Sequence, residues 1–315
     1  MSGKIVILGV FVADTSYRAG RMPRIGETIL GNGFVLGPGG KGSNQAVAAA
    51  RAGGNAHFVS RLGKDAFADI ALETWRNAGV TPVVTQHGDS YTGAAFIFVD
   101  DNTGDNAIIV SPGAAREISV EDIEARGNLI EGAGIFVTQL EQPIDAAFRA
   151  LEIARGARVR TILNPAPAAD LPPGMLALCD FVTPNESEAE GLTGIPVASV
   201  EDADRAAEAL LAAGAGAAII TLGENGAYYR DASASVHVPA FAAGEVVETT
   251  GAGDAFNGGF ATALAEGQAP VDAVRFACAA AGISVTRPGT APSMPSRREI
   301  DQLLTGSEDA WRCNA

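Results

Sequence analysis

Short runs of β-branched and other apolar residues alternate with longer stretches of helical periodicity along almost the whole chain. The short runs predict strands over 4–10, 56–62, 134–140, 159–163, 180–183 and 217–222. Apolar positions recurring every three or four residues predict helices over 41–52, 67–78, 120–130, 145–155, 200–213, 252–266 and 271–285. Such a rhythm builds an α/β fold, a mainly parallel sheet with helices on both faces. Ligands of open sheets bind beyond the carboxyl ends of the strands, so residues just after each strand are the first to inspect.

Two segments break the rhythm. Residues 12–36 show no helical period and carry turn signals at Met22-Pro23, Ile25-Gly26 and Gly31-Asn32-Gly33. Residues 92–111 read as a hairpin, with apolar runs 93–99 and 107–110 on either side of a polar turn. Strand pairs without covering helices imply a small sheet projecting from the body. The chain thus divides into an α/β core (1–11, 37–91 and 112–305), a β appendage (12–36 and 92–111) and an aperiodic tail (306–315).

Composition narrows the partners. The chain has 315 residues, 47% of them hydrophobic, with a net charge of −15 and no basic run. Nucleic acid and anionic membranes are therefore excluded as partners. A nucleotide substrate is not, because local N–H groups and a metal ion override a global field. Cys179, Cys278 and Cys313 are odd in number and widely spaced, without a disulfide or metal pattern. With no leader pattern and no apolar stretch long enough to span a bilayer, the chain reads as cytoplasmic.

The chemistry concentrates in Glu248-Thr-Thr-Gly-Ala-Gly-Asp-Ala-Phe-Asn-Gly-Gly-Phe260. Apolar spacing from Ala255 onward is helical, which puts Gly251, Ala252, Gly253 and Asp254 in the first turn. Unpaired N–H groups and the positive end of the helix dipole gather there, where glycine lets a ligand approach closely. Asp254 adds a carboxylate to this anion cradle. An acid is a poor partner for a bound phosphate but a suitable base for a hydroxyl attacking one. A second glycine-rich turn, Gly37-Pro-Gly-Gly-Lys-Gly42, fits G-x-G-x-x-G in form only. It lies outside the first βα turn and lacks the acidic residue of a dinucleotide site. Gly42 after Lys41 also rules out a Walker A loop. Asp14 follows the first strand and Glu141 the strand ending at Leu140, both where an open sheet places ligand residues. Asn185-Glu-Ser-Glu188 has the spacing of a capping box.

These segments resemble the PfkB carbohydrate kinases, and within them the ribokinases most closely. The stretch 248–256 is similar to the family's C-terminal signature, and 37–53 to its other signature. Between them Asn164-Pro-Ala-Pro-Ala168, Thr183-Pro-Asn-Glu-Ser-Glu-Ala-Glu190 and Thr221-Leu-Gly-Glu-Asn-Gly226 stand in the family's order, and the likeness covers roughly 4–305. The resemblance implies a three-layer αβα fold with a small β-sheet lid, through which a homodimer forms. It implies an ATP-dependent kinase acting on the primary 5-hydroxyl of D-ribose, with Mg²⁺ and K⁺. Asp254 is then the base, helped by the backbone of Gly251, Ala252 and Gly253. Asp14, Gly40, Lys41, Asn44 and Glu141 hold the sugar. Asn185, Thr221, Gly223, Gly226, Gly253 and Cys278 line the nucleotide, although simple helix packing explains Cys278 equally well. Glu188 serves magnesium through water, and Glu248, Thr250, Ser284, Arg287, Gly289 and Ser293 surround potassium.

Two positions depart from the family's pattern. Glu248 stands where an Asp is usual, and Val12 where ribokinases show an Asn that reaches the sugar. Another substrate, such as 2-deoxyribose, a ketohexose or a nucleoside, is the alternative within the class. A non-catalytic sugar- or nucleotide-responsive protein is the alternative outside it, and Asp254 argues against that, since a pure binder needs no base.

Overall fold

A computed structural model describes residues 3–306, so Cys313 and all but the first residue of the expected tail lie outside the described residues. Thirteen strands are found in this span: β1 (Lys4–Leu8), β2 (Val12–Ala19), β3 (Gly33–Gly39), β4 (Asn55–Gly63), β5 (Thr81–His87), β6 (Thr92–Asp100), β7 (Asn106–Gly113), β8 (Ile135–Thr138), β9 (Arg160–Leu163), β10 (Phe181–Val182), β11 (Ala217–Thr221), β12 (Ala227–Asp231) and β13 (Ser235–Val238). The α-helices are α1 (Lys41–Arg51), α2 (Ala66–Ala78), α3 (Val120–Glu124), α4 (Gly127–Glu131), α5 (Ile144–Gly156), α6 (Glu186–Thr193), α7 (Val200–Ala212), α8 (Ala252–Ala265), α9 (Pro270–Ser284) and α10 (Arg297–Gly306).

Nine strands form one sheet in the order β13-β12-β11-β10-β9-β8-β1-β4-β5. Its pairings are parallel except at one edge, where β12 and β13 run antiparallel to their neighbours. Alternation along the central strands sets up three layers. Ile5 and Ile7 of β1 enter the apolar cluster of α1, α2, α8 and α9, whereas Val6 and Leu8 enter that of α5. Both faces are covered, which is why these strands read as unbroken apolar runs. The other four strands form a separate sheet, β3-β2-β6-β7.

Each predicted strand and helix has a counterpart, with one correction. The stretch 120–130 is two short helices rather than one, because Arg126 departs from helical geometry at ψ 9° and Gly127 starts a new turn. Gly306, expected in the tail, closes α10. Strands β5, β12 and β13 and helices α6 and α10 were not predicted as elements. Among the described residues no helix is long and apolar enough to cross a membrane.

Candidate active site

Helix α8 begins at Gly251, which caps it at φ 84°, a conformation that glycine adopts without strain. Ala252 N–H bonds Thr249 O at 3.2 Å, and Ala255 N–H bonds Gly251 O at 2.9 Å. The N–H groups of Gly253 and Asp254 lie between them, in the turn for which an α-helix supplies no acceptors. A Cβ placed on Gly253 would meet no atom within 4 Å, so this positive end of the helix opens on a cleft.

Asp254 stands on that turn and is only 7% exposed. Its Oδ2 accepts from Asn44 Nδ2 at 3.0 Å and its Oδ1 from Gln45 Nε2 at 3.1 Å, both donors belonging to α1. The two helices come this close because α8 carries Gly258 at the crossing. A Cβ there would lie 2.5 Å from Ala48 Cβ and 2.6 Å from Gln45 O. Further amides stand behind Asp254. Gln45 Nε2 also donates to Asn164 Oδ1 (3.1 Å), Gln139 Nε2 to Gln45 Oε1 (2.6 Å), and Asn164 Nδ2 to Thr183 O (3.0 Å). Thr183 Oγ1 donates to Asn257 Oδ1 (2.7 Å), and Asn257 Nδ2 returns to Gly253 O (2.8 Å). Sequence reasoning gave no role to Gln45, Gln139, Asn164 or Asn257. The one available signal is an amide at a core position: Gln45 shares the buried face of α1 with Ala48 and Ala49.

Carboxylates crowd the same space. Lys41 N–H donates to Glu141 Oε2 at 2.8 Å. Burial pushes Glu141 up to about 7, with Asp254 and Asp14 adding to the effect and the Lys41 N–H and ammonium opposing it. Burial, then the nearby charge of Glu248, lifts Asp14 to about 6. Asp254 is raised by burial against Lys41, Asn44 and Gln45, and Glu188 by burial against the Asn185 N–H and Lys41. Asp14, Gly40, Lys41, Asn44, Glu141 and the 251–254 turn are thus brought together. The glycines beside them are closely packed against main chain and against the Gln139 and Asp14 side chains. A Cβ on Gly9 would sit 2.7 Å from Gly42 Cα, one on Gly39 2.2 Å from Asp14 Oδ2, and one on Gly40 2.5 Å from Val10 O.

The expected nucleotide residues form a neighbouring edge. Asn185 caps α6, accepting from Glu188 N–H at 2.8 Å while Glu188 Oε2 accepts from Asn185 N–H at 2.9 Å. Asn185 also bridges Thr221 at the end of β11. Gly223 and Gly226, at φ 52° and 92°, turn the chain back into β12. Cys278 lies in the apolar core of α9, its thiol pushed up to about 12 by burial, so helix packing accounts for it.

Of the expected cation residues, Glu248 Oε2 accepts from Gly289 N–H at 2.8 Å, tying the chain before α8 to the loop after α9. Thr290 of that loop lies 3.3 Å from where a Gly251 Cβ would stand, and its hydroxyl donates to Pro38 O at 2.8 Å. Ser293 Oγ donates to Thr290 O at 2.7 Å, and Ser284 Oγ donates back into its own helix. The Arg287 guanidinium pairs with Glu299 instead. Among the described residues no group of three or more His, Cys, Asp or Glu side chains gathers as a metal site.

Against known proteins, residues 3–297 match the family described as pfkB family carbohydrate kinase. The chain belongs to the pfkB carbohydrate kinase family. It is a phosphotransferase with an alcohol acceptor. It is 36% identical to a ribokinase of Haemophilus influenzae over 305 residues, spanning 96% of this chain and 99% of that one. It is equally, 36%, identical to a deoxyribokinase of Salmonella typhi over 306 residues, again spanning 96% and 99%. Among solved structures, the Arabidopsis thaliana ribokinase complexed with ribose and ATP superimposes with a TM-score of 0.91 at 32% identity, covering 96% of this chain and 99% of that one. At that score the two structures share one α/β fold.

Proposed function

We propose that this kinase transfers the γ-phosphoryl group of ATP to the primary 5-hydroxyl of D-ribose, giving ribose 5-phosphate. The observation that carries the reading is the buried Asp254 carboxylate at the open N-terminus of α8, beside Lys41 and Asn44. There a base and an anion cradle address the two ends of one transfer. Asp254 orients the hydroxyl and takes its proton, while the Gly251, Ala252 and Gly253 backbone stabilises the transferring group. Asp14, Gly40, Lys41, Asn44 and Glu141 hold the sugar. Asn44 Oδ1 is buried without a donor, which fits an acceptor reserved for a sugar hydroxyl. Asn185, Thr221, Gly223, Gly226 and Gly253 serve the nucleotide.

A single carboxylate acting through water suits magnesium, which keeps much of its hydration, and the reading gives that role to Glu188, in the first turn of α6 beside Asn185. Bound at the phosphates, magnesium would neutralise charge there. The potassium residues supply the oxygen donors a hard cation takes, and Glu248, although longer than Asp, still fastens their loop through Gly289. The four-stranded sheet is read as a lid. Its residues Phe34, Val35, Ile108, Ile109 and Val110 are exposed apolar side chains suited to a homodimer interface; a monomer in sedimentation velocity would remove that part. The same reading takes the protein to work in the cytoplasm.

A second reading, 2-deoxyribose as substrate, is favoured by one residue. Val12, at the start of β2 and 4% exposed, offers a sugar hydroxyl nothing to bond. Initial rates of ADP release over pentoses, 2-deoxyribose, ketohexoses and nucleosides decide between the readings. No turnover of any sugar would overturn both.

A further inference from the structure

The amide of Gln45 reaches Asp254 from a place no ligand can occupy, since its residue is 0% exposed. Its orientation is fixed from outside. Thr183 O can only accept, so Asn164 must present its NH₂ to it and turn Oδ1 toward Gln45. Gln45 therefore turns its NH₂ toward Asn164 and Asp254, and its Oε1 toward Gln139 Nε2. Reversing it would break three bonds at once. The other groups that favour an ionised Asp254 are Lys41 and Asn44, which the proposed site assigns to the sugar. Gln45 is the partner of the base that the proposed site leaves free of the sugar.

We propose that Gln45 is a positioning residue for phosphoryl transfer, holding the Asp254 carboxylate in place and ionised. This rests on Asp254 being the base. Charges from several elements face Asp254: Lys41 from α1, Glu141 from beyond β8 and Glu188 from α6, with Asp14 of β2 acting on Glu141. All remain when Gln45 is changed, so a difference between variant and parent isolates Gln45.

The test uses the full chain, with ATP and the best sugar of the screen, measured from pH 5.5 to 9. Gln45→Met keeps the length and removes the donor. Loss of a donor to the charged form raises a carboxylate's pKa, so the acid limb of kcat/KM should move up by about one pH unit. At pH 7 kcat should fall by about 10–100-fold while KM for ATP changes by less than about threefold. Gln45→Glu, which still accepts from Gln139, sets a second carboxylate against Asp254 and should move the limb further; it carries the test if the Met variant melts early. Added to Asp254→Asn, Gln45→Met should cost less than about twofold more, because no carboxylate is left to position. An unmoved limb in both variants, or a penalty that multiplies in the Asp254→Asn background, overturns the inference. Near-normal turnover of Asp254→Asn alone overturns the base itself and this inference with it.

Discussion

Replacing Glu141 with Gln should make the ligand-free protein more stable at pH 8 and leave it unchanged near pH 4.5. In the folded chain Glu141 titrates at about 7 against an ordinary 4.5. Between those values the folded state keeps a proton that the unfolded state releases. Stability therefore falls as pH rises through this window, and the loss is complete above about 7. At 1.36 kcal/mol per unit the full shift is worth about 3 kcal/mol. Glu141 keeps part of its surface exposed to water, so screening leaves about 1–2 kcal/mol. Gln carries no charge to desolvate, and its Oε1 can still accept from Lys41 N–H. The gain should appear by calorimetry as a rise of about 2–5 °C in Tm at pH 8, shrinking steadily toward pH 5. Asp14, raised in the same range, repels the Glu141 charge, so removing that charge relieves Asp14 as well and adds to the gain in the same direction. Stability curves that run parallel from pH 5 to 8 would refute the reasoning, because the buried charge would then cost nothing.

Three further outcomes follow from the site. Asp254→Asn should keep the fold but lower turnover by about 10²–10⁴-fold, read as ADP release at saturating substrates; near-normal turnover would remove Asp254 from the chemistry. Potassium should raise activity above equal choline chloride, an effect absent if the loop around Gly289 and Ser293 holds no cation. Val12→Asn should lower KM for ribose by up to about tenfold, the value of one hydrogen bond. Unchanged kinetics for both ribose and 2-deoxyribose would mean that this side chain does not face the sugar.

The layered core was legible because its strands are apolar on both faces and its helices carry strong periodicity. The edge was less so. In β5, Thr81-Pro82 opens the strand and much of the rest is partly exposed, so it lacks an apolar signature. Helix α6 is short, and only its cap, Asn185 with Glu188, announced it. In the site, each glycine-rich turn could be read because backbone chemistry is local: Gly251 and Gly253 act within four residues of Asp254. The amides could not. Gln45 and Asp254 lie more than two hundred residues apart, and only the α1–α8 crossing permitted by Gly258 joins them.

The close packing of the glycines beside the site bears on how the substrate range of such an enzyme changes over time. Gly9, Gly39, Gly40 and Gly42 are held against main chain, the Gln139 amide or the Asp14 carboxylate with no room for even a methyl group. Mutation therefore cannot deepen or fill the pocket at these positions without moving α1, and with it Asn44 and Gln45, away from the base. With Val12 facing the sugar, as proposed, diversification is left to the walls, where residue 12 can be exchanged on a strand end apart from the Asp254 turn. On that proposal, a lineage on this scaffold would acquire a new sugar by one side-chain replacement while inheriting its chemistry intact.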